Sequence, residues 1–293
     1  MSGQKGVALV AVLWIVAALA LLVGGMAAMS RAEVQRAQTH QAVGQVTVLG
    51  DAAIQLAVLD WKVTPPQPVR RVQTQYQVEG VPVVVRITPA SGYISLNGAP
   101  ESLLHDLFRY GADVDEVRAT ALAQSVIDWR DTDETPLPQG AEAPAYVAAG
   151  LPWRPRNGRF IAVEDLLQVI GMDLDVFDRI RSLVTVWSSA GGVDPRSAPE
   201  DVIAILAAGN LDQARRIVQG LDAGDPTIDM TTLNQAHLGA SGSSILHIEA
   251  IVPVDEHRSA VRARWVGLAP NPEGAPWKTL SAERVYFIQG RVE

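Results

Sequence analysis

The residues best suited to chemistry lie in one acidic stretch, Asp128-Trp129-Arg130-Asp131-Thr132-Asp133-Glu134, with Glu142 a few positions on. Carboxylates at this density can supply the six to eight oxygens that a hard cation such as Ca²⁺ takes. The spacing is not that of an EF-hand loop, which places a glycine after three alternating ligands. From the residues alone, the stretch is either a cation site or a solvated acidic loop capping nearby helices. The histidines, His40, His105, His237, His247 and His257, include no pair at zinc-ligand spacing. There is no cysteine, which removes thiolate metal sites, cysteine nucleophiles and disulfides. Gly239-Ala240-Ser241-Gly242-Ser243 has the composition of a linker and lacks the Gly-x-Ser-x-Gly order of a nucleophile elbow. With no phosphate loop and no catalytic triad order, no enzymatic activity is expected.

The elements that must position the acidic stretch begin with a long apolar run. A short basic segment, Gly3-Gln4-Lys5-Gly6, precedes Val7–Ala28, which carries no charge. About 20 apolar residues suffice to cross a bilayer, and Lys5 ahead of the run predicts a cytoplasmic N-terminus. The run fits a secretory signal with a cleavage site near Ala28–Ala32, a plain anchor, or a type IV pilin-like leader cut at Lys5-Gly6-Val7. Helical spacing then continues. Ala42, Val46, Leu49, Ala53 and Leu56 recur at four- and three-residue steps, while Gly44 and Gly50 weaken the helix. Thr64-Pro65-Pro66 ends it, because proline lacks the amide donor. One helix is therefore expected from Val7 to Lys62.

A roughly alternating strand follows at 69–78 and a second strand at 83–87, with a turn beginning at Glu79-Gly80. Strands return at 244–253, 260–268 and 284–290. Between them the pattern is helical. An internal repeat opens two runs of short helices: Leu96-Asn97-Gly98-Ala99-Pro100-Glu101 and Val193-Asp194 leading to Ala198-Pro199-Glu200. Proline in the first turn and Glu at the positive end of the dipole mark each helix start. Helices are expected at 102–110, 115–129, 163–170, 174–184, 201–208 and 211–220. Leu166–Met172 resembles a helix-hairpin-helix module, but Asp173 replaces its second glycine, and Asp175 and Asp178 follow. With a net charge of −8 over 293 residues, these carboxylates argue against phosphate contacts and hence against nucleic-acid binding. Strands, helices, then strands predict an α+β fold in which a large all-α domain interrupts a long helix packed on a small antiparallel sheet.

In this order the chain resembles the type II secretion system minor pseudopilin K family, also called general secretion pathway protein K. The resemblance rests on Lys5-Gly6-Val7 with the apolar helix, Leu96-Asn97 with Ala99-Pro100-Glu101, Asp128-Trp129-x-Asp131-x-Asp133 and Gly140-Ala141-Glu142. Asn157-Gly158 ahead of Val163-Glu164-Asp165-Leu166, and Val169-Ile170-Gly171-Met172, extend it. Pilins and most pseudopilins carry Glu at the fifth mature position. Here, with Val7 as the first residue, that position is Ala11, and K members lack this Glu.

The resemblance implies a pilin-like fold. It places a leader at 1–6, an assembly helix at 7–62, sheet at 69–95 and 244–293, and the inserted helix-hairpin-helix-like domain at 96–240. Prepilin peptidase is expected to cut after Gly6, leaving Val7 N-methylated. Pseudopilins I and J are the expected partners in a tip complex that supports export of folded proteins across the outer membrane. The body is expected in the periplasm, on a single-pass inner-membrane anchor. The resemblance also implies Ca²⁺ in the helical domain, with Asp131, Asp133 and Glu142 as ligands and Asp128 after them. The contrasting expectation is an exported helix-hairpin-helix DNA-uptake protein with an ordinary signal sequence.

Overall fold

The computed structural model describes residues 4–66, 69–225, 227–240, 242–270 and 274–290, and within the first helix it describes side chains at 12–19, 22 and from 40 onward. Helix α1 runs Gln4–Val63 and stops at the prolines. The expectations at Gly6, Val7 and Ala11 fall on side chains outside the described residues. Of those described, Leu13 and Trp14 are 71% and 73% exposed, so this part of α1 has no protein cover. The stretch His40–Val63 is also apolar enough to cross a membrane by length and composition, yet 39% of its most apolar window is buried.

What buries it is the sheet. Strands β1 (Val72–Val78) and β2 (Val81–Pro89) form a hairpin, and β5 (Ile245–Pro253), β6 (Arg258–Gly267), β7 (Lys278–Ala282) and β8 (Tyr286–Gln289) complete one antiparallel sheet. Its order is β1-β2-β5-β6-β7, with β8 also on β6. Alternate residues Leu246, Ile248, Ala250 and Val252 of β5 face Val46, Leu49, Ala53, Ile54, Ala57, Val58 and Trp61 of α1. The apolar stripe on α1 thus continues through Ala57 and Trp61. Leu56, expected on that seam, is 42% exposed, because the flank of α1 laid on the sheet is the one that carries Ala53, Ala57 and Trp61. Gly50 is a contact glycine: a Cβ there would lie 2.7 Å from Arg262 Cβ. The close approach brings Asp51 onto two sheet arginines, at 2.8 Å from Arg262 Nε and 2.5 Å from Arg264 Nη2.

Strands β2 and β5 are hydrogen-bonded neighbours, with Pro89 opposite Leu246. Everything between them is an insertion with its own core. It holds α2 (Glu101–Asp106), α3 (Glu116–Arg130), α4 (Ala143–Ala148), α5 (Leu174–Ile180), α6 (Glu200–Leu206) and α7 (Leu211–Asp222). A π turn at Leu107–Gly111 extends α2. The insertion is not all-α as expected. Short strands β3 (Ile94–Ser95) and β4 (Val184–Thr185) pair in parallel, too short for any sequence period to reveal. Residues 163–168 form 3₁₀ turns instead of an α-helix, and α5 ends at Ile180, because chain reversals interrupt both. Pro100 and Pro199 sit just before α2 and α6, with extended backbones, so Glu101 and Glu200 are the first helical residues. Strand β7 and helix α4 were not expected.

The boundary between sheet and insertion is polar. Tyr93 Oη lies 2.9 Å from His247 Nδ1, and His247 Nε2 lies 3.0 Å from Glu283 Oε1. His247 also stacks on Trp265 with ring centres 4.6 Å apart. His247 therefore has a structural role.

Candidate metal centre

The acidic stretch sits where α3 stops. Trp129, in the last turn, is 1% exposed and stacks on Phe160 at 6.0 Å. Arg130 turns inward and donates to the Leu96 and Ala99 carbonyls at 2.5 and 2.6 Å, so its charge is spent on the start of the insertion. Asp131 then takes an extended backbone (φ −74°, ψ 175°), and its amide closes the helix on Ile127. Two residues on, Asp133 turns onto its own loop and accepts from the Thr135 amide at 2.8 Å.

The following loop returns to them. Asp128 is fully buried and accepts from the Leu137 amide at 3.2 and 3.3 Å. Gln124 Oε1 accepts from the Gln139 amide at 2.6 Å. Gly140 lies directly against Asp128, where any Cβ would overlap its Oδ2. The loop is thereby fixed so that Glu142 arrives as the residue capping α4. A carboxylate at such a position normally accepts from the helix's free amides, but the Glu142 side chain makes no capping bond. Instead it is 2% exposed and joins Asp131 and Asp133, with one carboxylate oxygen of each within 4.8 Å of the others. Asp128 lies outside that trio and holds the loop by its backbone.

Three carboxylates in one place repel one another. Burial, followed by the neighbouring charges of Asp128, Asp131, Asp133 and Glu134, pushes the Glu142 carboxyl up to about 7. Asp131 is raised by burial and then by Asp133. Burial also raises Asp128 against the opposing Leu137 amide. Among the described residues none of these four groups has an ion-pair partner. Both Glu142 oxygens and Asp131 Oδ1 are buried without a hydrogen bond. Buried polar atoms are normally paired, and an unpaired one asks for an unseen partner. An oxygen-only donor set without imidazole or thiolate suits a hard cation and not zinc. The residues present therefore fit calcium. Asn157 is the participant the sequence reading missed. It donates to the Asp133 carbonyl at 3.2 Å, and its Oδ1 is also buried and unpaired. Its signal was Asn157-Gly158 itself: Asn157 has φ 47°, the left-handed region that asparagine tolerates.

At the hairpin near Gly171, Asp173 caps α5 by accepting from Val176 N at 2.8 Å and pairs with Arg118 at 2.5 Å. That end of the helix is thus closed by a carboxylate, the reverse of what a phosphate contact needs.

Residues 99–189, which contain the whole acidic site, match the family model described as Type II secretion system (T2SS), protein K. The chain is similar here to type II secretion protein K. It is 36% identical over 63 residues to the Type II secretion system protein K of Pectobacterium carotovorum subsp. carotovorum, covering 22% of this chain and 19% of that one. It is 32% identical over 111 residues to the protein K of Dickeya chrysanthemi, covering 36% and 30%. The chain thus aligns with less than a third of either protein K relative. Among solved structures, a chain of the GspK-GspI-GspJ complex from the enterotoxigenic Escherichia coli Type 2 Secretion System matches with TM-score 0.55. That match covers 89% of this chain and all of the other at 17% identity. The last likeness shows the fold: mixed helix and antiparallel sheet.

Proposed function

We propose that this chain is a minor pseudopilin of the type II secretion system, built on a pilin-like plan and placed at the tip of the pseudopilus with pseudopilins I and J. There it supports export of folded proteins across the outer membrane, without catalysing a reaction. The observation that carries the reading is one helix serving two purposes. Its exposed apolar part, including Val12–Val16, suits lipid or neighbouring helices, and its later part is sealed onto the sheet. The bulky insertion between β2 and β5 supports a terminal position, because it widens the body beyond a helix-on-sheet subunit. The similar structure comes from a complex that contains I and J.

In this reading prepilin peptidase removes residues 1–6, and Val7 becomes the N-methylated start. The helix is a single-pass inner-membrane anchor, and the body lies in the periplasm. Calcium is held by Asp131, Asp133 and Glu142, while Asp128 and Asn157 hold the two chain segments beside it. The ion supplies charge balance to a loop that otherwise repels itself. N-terminal sequencing of membrane-extracted protein, from cells with and without prepilin peptidase, is the test. A methylated Val7 that depends on the peptidase, with I and J co-purifying, is expected. Cleavage near Ala32 or no cleavage would overturn the reading.

A further inference from the structure

The sequence holds two Asn-Gly pairs, Asn97-Gly98 and Asn157-Gly158, and the fold treats them differently. Such a pair is chemically labile. Glycine has no Cβ, so its amide nitrogen can approach the carbonyl carbon of the preceding asparagine side chain. The attack requires the side chain to leave its own hydrogen bonds through a local opening.

At Asn97 three bonds resist that opening. Its Nδ2 donates to Phe160 O at 3.0 Å and to Val186 O at 3.1 Å, and its Oδ1 accepts from Phe160 N at 2.8 Å. Gly98 is also pressed against the backbone of Ser189 and Ala190, where a Cβ would lie 2.3 and 2.5 Å from their carbonyl oxygens. Asn157 is held far less. Its Nδ2 donates to the Asp133 carbonyl at 3.2 Å, and among the described residues its Oδ1 is buried without a hydrogen bond. A Cβ on Gly158 would meet nothing closer than 3.8 Å. The two glycine amides do not separate the sites, since both make long backbone bonds: Gly98 N to Ser95 O at 3.3 Å and Gly158 N to Trp129 O at 3.4 Å. The asparagine side chains do.

We propose that Asn157 is a site of spontaneous deamidation and that Asn97, with the same following glycine, is not. Gly158 N gives its proton to hydroxide and attacks Asn157 Cγ. The N–Cγ bond forms, the Cγ–Nδ2 bond breaks, and Nδ2 takes a proton from water and leaves as ammonia. The product is a five-membered imide. Water then opens one of its two carbonyl–nitrogen bonds, giving aspartate on the original backbone or isoaspartate on a backbone routed through the side chain. The net change is one water consumed and one ammonia released, with no oxidant or reductant. Position 157 then carries a carboxylate and can no longer donate to the Asp133 carbonyl. The bond between the two chain segments is lost, and one more negative charge joins Asp131, Asp133 and Glu142. On the calcium reading above, the modified site depends more on its cation. The modification itself does not rest on that reading.

The test incubates the full detergent-solubilised chain in mildly alkaline buffer with chelator. Peptide mass analysis then resolves aspartate and isoaspartate at each Asn-Gly pair. In denaturant the two pairs should react at similar rates, because only the shared dipeptide remains. In the folded chain Asn157 should convert at least about tenfold faster than Asn97, the spread set by two further hydrogen bonds. Gly158→Ala, which the open space around Gly158 accepts, should hinder the attacking amide and slow conversion at 157 while Asn97 is unchanged. Asn157→Asp, standing in for the product, should melt lower than wild type in chelator and gain more from calcium. Equal folded rates, faster conversion at Asn97, or a folded chain inert at 157 would overturn the site. Asn157→Asp melting with wild type in chelator would overturn its consequence. Conversion at 157 in a chain indifferent to calcium would refute the metal reading alone. If either variant does not fold, the wild-type ratio of the two rates decides.

Discussion

Calcium should couple to folding through Glu142, and the size of the effect can be worked out. A carboxyl lifted from 4.5 to about 7 is disfavoured as an anion by about 3 kcal/mol when no cation is present. Between those values the folded chain binds more protons than the unfolded one, so metal-free stability falls as pH rises through that window. Calcium replaces the proton, and its affinity should climb with pH and level off above about 7. At a free concentration one hundred times the dissociation constant, a ligand adds about 2.7 kcal/mol. For a chain of this size, at about 2.1 cal/mol/K of unfolding entropy per residue, that is roughly 4 °C in Tm. The assay is thermal melting of the full chain in detergent, in chelator and in excess calcium, at about pH 5.5 and about pH 7.5. Wild type should melt higher in chelator at the lower pH, and calcium should raise Tm chiefly at the higher one. Glu142→Gln removes one charge from the repelling group, so its metal-free Tm should equal or exceed wild type while the calcium shift vanishes. A wild type indifferent to calcium, a Glu142→Gln variant that still responds fully, or a metal-free stability that rises with pH would each refute this account.

Gly140→Ala drives a methyl into Asp128 and should cost about 1–3 kcal/mol. It should also weaken calcium binding by releasing the loop that delivers Glu142, which denaturant titration and calorimetry would register separately. Trp129→Ala empties the stacking position over Phe160 and should cost about 3–5 kcal/mol, with loss of near-ultraviolet circular dichroism from the insertion. Asp51→Ala strips Arg262 and Arg264 of their shared partner. Since the pair is only partly buried, about 1–3 kcal/mol is expected, read as increased protease access to the helix–sheet junction.

The parts of the fold with a period could be read in advance. A β-branched run at 83–87 gave β2 and alternation gave β5 on either side of the helical tract, and three- and four-residue steps gave the buried stripe at Val46, Leu49 and Ala53. Residue type brought forward the acidic stretch from Asp128 to Glu134 with Glu142, and the family resemblance narrowed it to Asp131, Asp133 and Glu142, which the fold brings together. What a period cannot carry was missed. Leu56 obeys the spacing and is exposed, because the shape of the sheet decides which flank is covered. Asp128 looks like its neighbours in the sequence, yet two loop contacts distinguish it. Asn157 reaches Asp133 across 24 residues, a distance no local pattern encodes.

The internal repeat shows how a weak sequence signal becomes architecture. Each copy starts on a short extended segment and passes through Ala-Pro-Glu into a helix. In the first copy Ile94-Ser95 enters α2, and the chain returns to pair in parallel at Val184-Thr185. In the second, Val193 leads into α6 and α7, and the chain returns to pair in parallel at Leu238. Each half is therefore a strand, a set of helices and a parallel return, closed by very few backbone bonds. The copies are sewn together at their starts, where Asp194 N donates to Ser91 O at 2.8 Å. A closure of one or two residue pairs has little strength of its own, so side chains beside it must supply the remainder. In the first half Asn97 does so, donating to Val186 O at 3.1 Å and accepting from Phe160 N at 2.8 Å. In the second half Asp194 turns back on its own copy, accepting from Ser197 Oγ at 2.8 Å. The return at Leu238 is then held by the backbone on both sides of Val193, whose amide donates to the His237 carbonyl at 2.9 Å and whose carbonyl accepts from Gly239 N at 2.8 Å.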